Sequence, residues 1–135
     1  MILEDVLDFL EEKNTSENFG FENFYIGKLD NKKDLSLGVY NLKYGKVEDN
    51  YCIGALKTYK TLNVSLLLHI NKHFKDTEAI SNKLFDYLKN LAYSEQFKIK
   101  EYDVYFIRLL SNNEDVGQDE KGIYERVINF QIYYK

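Results

Sequence analysis

A chain of 135 residues, 44% hydrophobic and 30% charged, is too short for two ordinary domains of about 100 residues each, and long enough for one core that removes roughly two-thirds of the unfolded surface from water. The formal net charge is −4, and only Arg108 and Arg126 among eighteen cations are arginine, which argues against a phosphate-neutralising surface and against sequence-specific nucleic-acid binding. The single cysteine, Cys52, excludes an internal disulfide and any multi-thiolate metal centre, and fits a reducing compartment.

The first segment, Ile2 to Lys13, repeats Ile2, Leu3, Val6, Leu7, Phe9 and Leu10 at three- and four-residue steps between Glu4, Asp5, Asp8, Glu11 and Glu12. This is the pattern of an amphipathic helix, broken by the turn-forming Asn14-Thr15-Ser16. Its acidic residues stand where a secretory signal would need positive charge. The apolar run at Leu66-Leu67-Leu68 is far too short to span a bilayer. The expectation is a soluble protein made in the cytoplasm, with no membrane partner.

Apolar runs at Phe24–Leu29 and Leu35–Leu42, separated by the polar Asp30–Asp34, predict two strands joined as a hairpin. Lys43 to Lys57 has no sustained period and predicts a long loop carrying Cys52. The clearest alternation follows: Leu62, Val64, Leu66, Leu68 and Ile70 on one face, with Thr61, Asn63, Ser65, Leu67 and His69 on the other. A strand from Tyr59 to Ile70 would run about 40 Å, longer than the roughly 35 Å diameter of such a domain, so it must bend or project. Asp76-Thr77-Glu78 then opens a helix whose stripe is Ile80, Leu84, Tyr87, Leu88 and Leu91, ending at Ala92. Two further strands are predicted, Ile99–Leu110 and Ile123–Tyr134, with the loop Ser111–Gly122 between them. In the last, Tyr124, Ile128, Phe130, Ile132 and Tyr134 face one way, and Glu125, Val127, Asn129, Gln131 and Tyr133 the other. Together with twelve tyrosines, nine phenylalanines and no proline, this order predicts an α+β fold: a mainly antiparallel sheet of four to five strands with two helices packed on one face.

Catalytic chemistry is sparse. His69 and His73 have helical metal-ligand spacing, but the pattern changes from strand to turn between them and no third ligand is in view, so no metal site is expected there. Asp119-Glu120-Lys121 invites comparison with metal-dependent nucleases, yet it reads as a solvated acidic turn beside Gly117 and Gly122. Cys52 has no adjacent cation cluster or helix start to activate it, and no phosphate-binding glycine loop occurs. The positive feature is the mixed strand faces, whose tyrosines and small polar residues suit a protein interface.

The C-terminal stretch carries Gly117, Asp119, Glu120, Gly122, Tyr124 and Glu125, then Asn129, Phe130, Ile132 and Tyr134. It resembles the ending G-x-D-E-x-G-x-Y-E … N-F-x-I-x-Y of the phage tail-terminator or minor capsid family of tail-completion proteins. YIGKL at Tyr25–Leu29, G-V-Y at Gly38–Tyr40 and the helix DTEAISNKLFDYLKNL agree in order, so the resemblance covers nearly the whole chain. It implies a non-enzymatic, cofactor-free subunit at the head-proximal end of the tail of a phage or of a phage-tail-like particle such as a contractile bacteriocin. There it would form a homo-oligomeric ring, commonly a hexamer, that caps the tail tube and forms the collar or neck interface. Its partners would be copies of itself, the tail tube protein, and the sheath or head-tail connector. The residues expected at subunit or tube contacts are Asn63, Ser65, Asp119, Glu120, Tyr124, Glu125, Val127, Asn129, Gln131 and Tyr133. Glu114, Asp115, Asp119 and Glu120 would line a lumen that repels DNA. The alternatives are a head-side connector or stopper and, in another class, a small metal-dependent nuclease using Asp119 and Glu120.

Overall fold

A computed structural model describes residues 1–14, 19–27, 34–42, 50–51 and 57–135. Helix α1 spans Leu3–Lys13; strand β1 is Asn23–Ile26, β2 Ser36–Asn41, β3 Asn50–Tyr51 and β4 Lys57–His69; helix α2 is Phe74–Ala92; β5 is Phe97–Ile99, β6 Tyr102–Leu109, β7 Glu114–Gln118 and β8 Tyr124–Tyr134. The main path of the sheet runs β1-β2-β4-β8-β6-β5, with β7 pairing β8 beyond the end of β6 and the two-residue β3 pairing only the start of β4. The β1 and β2 strands pair in parallel, and the other ladders are antiparallel.

Both α1 and α2, and the long strands β4 and β8, form where the periodicity places them. Alternation in β4 and β8 sends Val64, Leu66, Leu68, Ile128, Phe130 and Ile132 into the core, each almost fully buried. Each such side chain contributes about 1.5–3 kcal/mol of transfer free energy. Leu37 and Val39 of β2, Val104 and Ile107 of β6, Leu84 and Leu88 of α2, and Val6 and Leu10 of α1 complete one cluster. The start of α1 is held by the Ile2 backbone N–H, which donates to the Asp5 carboxylate at 2.9 Å. At its other end Asn14 donates to the Phe21 carbonyl at 2.7 Å and accepts from the Phe21 N–H at 3.0 Å. That two-point bond stops the helix and steers the chain toward β1.

The expected mainly antiparallel sheet of four to five strands with two helices packed on one face does not form. The sheet is mixed, has more strands, and curls into a half-barrel. Helix α1 reaches β1 and β2 at one end of the sheet and β5 at the other, while α2 lies along β6 and β8. Two register shifts, at Val104/Phe106 in β6 and Asp115/Gly117 in β7, insert an extra residue against β8. Such bulges bend a strand and increase its twist, which promotes the curl.

Three local expectations change with it. The first two strands pair in parallel rather than as a hairpin, from Asn23 opposite Ser36 to Ile26 opposite Val39. The run read as one strand from Ile99 is split into β5 and β6 by a turn in which Lys100 takes a positive φ of 53°. The acidic segment read as a loop contains β7. Most of the long loop between Lys43 and Lys57, Cys52 included, lies outside the described residues; within it, Asn50 and Tyr51 pair with β4. Beyond Val64, where β2 ends, the start of β4 is flanked by β3 and β8 instead.

Candidate functional site

The ladder between β4 and β8 runs from Lys60 opposite Tyr134 to His69 opposite Glu125. Since Val64 and Phe130, then Leu66 and Ile128, face the core, the intervening pairs must face outward: Thr61/Tyr133, Asn63/Gln131, Ser65/Asn129, Leu67/Val127 and His69/Glu125. The structure thus gathers Asn63, Ser65, Glu125, Val127, Asn129, Gln131 and Tyr133 on one convex face. Asp119 joins them at the His69 end. Tyr124 does not: it belongs to the opposite face, where its ring packs edge-on against Phe74 at 5.4 Å. Glu120 is exposed in the turn between β7 and β8.

Three zones follow one another along this face. At the Tyr133 end, Tyr59 and Phe106 flank the Tyr133 ring at 5.5 and 5.8 Å, and the Tyr133 hydroxyl donates to Gln131 Oε1 at 2.8 Å. Phe106 remains 45% exposed, so the aromatic ridge meets solvent. In the middle, the side-chain oxygens of Asn63 and Asn129 are buried without a hydrogen-bond partner among the described residues, a state that costs about 1–3 kcal/mol per group.

The third zone is polar. His69, fully buried, brings Nε2 within 2.7 Å of Asp119 Oδ2. The other Asp119 oxygen accepts the backbone N–H groups of Lys121 at 2.8 Å and Ile123 at 2.9 Å. Burial pushes the Asp119 carboxyl up, but the bonds from His69, Ile123 and Lys121 outweigh it and hold the group below its ordinary range. Glu125 is raised, chiefly by burial, against the attraction of His69 and reinforced by repulsion from Asp119. One ligand atom from each of His69, Asp119 and Glu125 lies within 4.8 Å of the others, so these three residues can hold a metal ion.

His69 and His73 do not share a site: His73 stands at the exposed start of α2, and His69 meets Asp119 instead. Nor do the nuclease candidates Asp119 and Glu120 share one: Asp119 turns inward and Glu120 faces solvent. The signal that finds the cluster is cross-strand register, since His69 and Glu125 both fall on polar faces of alternating strands and sit opposite one another.

A family model described as bacteriophage tail terminator protein matches residues 5–135. The chain belongs to the bacteriophage tail terminator family. No curated protein matches the chain. Membership in the tail terminator family gives the chain a structural role in a phage tail and a virion-associated location there.

Proposed function

We infer that copies of this chain close into a ring, commonly of six, that caps the tail tube and ends its polymerisation at the collar. The observation that carries this reading is the outward face of β4 and β8. Two buried amide oxygens, on Asn63 and Asn129, lack partners among the described residues, and the aromatic ridge of Tyr59, Phe106 and Tyr133 lies beside them. A neighbour's apolar surface would cover the ridge, and rotation of the two amide side chains would present them to its donors. Closure requires a heterologous contact, in which this face meets a different patch on the next copy through a rotation that returns to the start. Termination is then geometric. One side of the ring copies the docking surface of the tube, and the other lacks the surface that would receive another tube ring, so growth stops without a chemical step.

Light scattering of the purified chain, alone and with tube protein, together with negative-stain images of tube ends, tests this. Wild type is expected as a closed ring, free or at one tube end. Val127→Asp and Asn129→Lys are expected to keep the fold by circular dichroism and lose the ring. Ring formation by both variants at wild-type concentrations, or a single copy per tail in particle density, overturns the reading.

A further inference from the structure

The polar end of the outer face contains a donor set that assembly by shape does not use. His69 comes from the end of β4, Asp119 from the turn after β7, and Glu125 from the start of β8. We propose that His69 Nε2, Asp119 Oδ2 and a Glu125 carboxylate oxygen form a binding site for a divalent transition-metal cation, with Zn2+ the ion that best suits the donors.

Asp119 is already oriented for the task. Two backbone N–H groups fix its Oδ1 and leave Oδ2 directed at the imidazole, the kind of outer support that positions metal ligands. His69 is held rigidly by complete burial in a central strand. Its Nε2 can satisfy one carboxylate, and that one is Asp119. The Glu125 side chain makes no hydrogen bond or ion pair among the described residues. Two carboxylates and one imidazole therefore leave uncompensated negative charge in a partly desolvated place, which a dication offsets.

Bonds of 2.0–2.2 Å in tetrahedral geometry place donors roughly 3.4 Å apart, so His69 Nε2 and Asp119 Oδ2 open from 2.7 Å while Glu125 draws in from no more than 4.8 Å. Glu125, with no partner to release, supplies that movement. Zn2+ would take the place of the proton shared by His69 Nε2 and Asp119 Oδ2, and the proton would leave to solvent. An imidazole with only two carboxylates falls short of the oxygen shell that Ca2+ requires and suits Zn2+ better than Mg2+. Three protein donors leave the fourth position to water.

Calorimetric titration of the full chain with zinc chloride tests the site independently of ring formation. The expected result is one Zn2+ per chain and a higher thermal midpoint in its presence. Glu125→Gln and Asp119→Asn, each with circular dichroism like wild type, are expected to weaken binding by about tenfold or more. His73→Gln and Cys52→Ser are expected to bind as wild type does. No binding by the wild type, wild-type affinity in the folded Glu125→Gln or Asp119→Asn variants, or loss of binding in His73→Gln or Cys52→Ser overturns the proposal.

Discussion

Lys100 occupies the left-handed backbone region at φ 53°, where a side chain is disfavoured, and two carboxylates hold it there. Its ammonium lies 2.9 Å from Asp5 and 2.8 Å from Asp8, which ties the β5–β6 turn to the first turns of α1 and raises the lysine pKa through hydrogen bonds to Asp8 and then Asp5. Lys100→Ala should lower the thermal midpoint more than Lys100→Gly does, since alanine keeps the backbone strain and glycine relieves it while both lose the ion pairs. Asp5 also accepts the Ile2 N–H, and that bond, followed by the one from Lys100, holds its carboxyl below the usual range. A depressed carboxylate contributes stability that is fully present above its unfolded pKa, near 3.9, and is lost as pH falls through the lower folded value. Asp5→Ala should therefore cost about 1 kcal/mol at neutral pH and show a smaller loss of stability on acidification than wild type, as read from denaturant midpoints. At Gly38 an added Cβ would lie 2.7 Å from the Tyr40 ring. Gly38→Ala should destabilise by about 1–3 kcal/mol, and Tyr40→Ala in the same chain should recover part of the loss by removing the obstacle.

At the scale of elements, α1 joins the two ends of the curled sheet, and Leu10, 1% exposed, is its most buried side chain. Leu10→Ala should cost about 2–5 kcal/mol in chemical denaturation, because the half-barrel cannot collapse around the cavity without uncurling. The same elements differ in how far they can be read from residue order. The β4 strand is legible because Leu62, Val64, Leu66, Leu68 and Ile70 recur at every second position, and α2 because Ile80, Leu84, Leu88 and Leu91 keep a helical step. The β7 strand was hidden because Glu114, Asp115, Val116 and Gln118 are all exposed, so no apolar face marks it. The β5–β6 break was hidden because its turn uses Lys100-Glu101, without the glycine, proline or asparagine that ordinarily signals one. Parallel pairing of β1 with β2 is a long-range choice that local pattern does not encode. For the candidate face, alternation located most of its members. The meeting of His69, Asp119 and Glu125 depends on register and on a turn fifty positions away in sequence, and Tyr124 falls on the face opposite Glu125, as their alternation implies.

On the scale of the whole molecule, six copies at −4 each would give a ring of −24, and the distribution of that charge matters more than its total. Glu114, Asp115 and Glu120 are exposed on the β7–β8 hairpin, whereas Asp119 is committed to His69. If the hairpin borders the channel, exchanging those three for lysine should leave assembly intact and create DNA binding that weakens steeply with added salt, measurable by filter retention. The sheet order carries a different consequence. The β8 strand is last in the chain yet lies between β4 and β6, near the middle of the sheet. During synthesis β4 therefore waits with an open edge and an uncovered hydrophobic flank until β8, four strands later in sequence, has left the ribosome. Folding must begin late, close a long loop, and proceed in the slower millisecond-to-second range typical of non-local strand pairing. The nascent chain is exposed to mispairing with other nascent chains over that interval, and chaperones that shield strand edges should raise its yield.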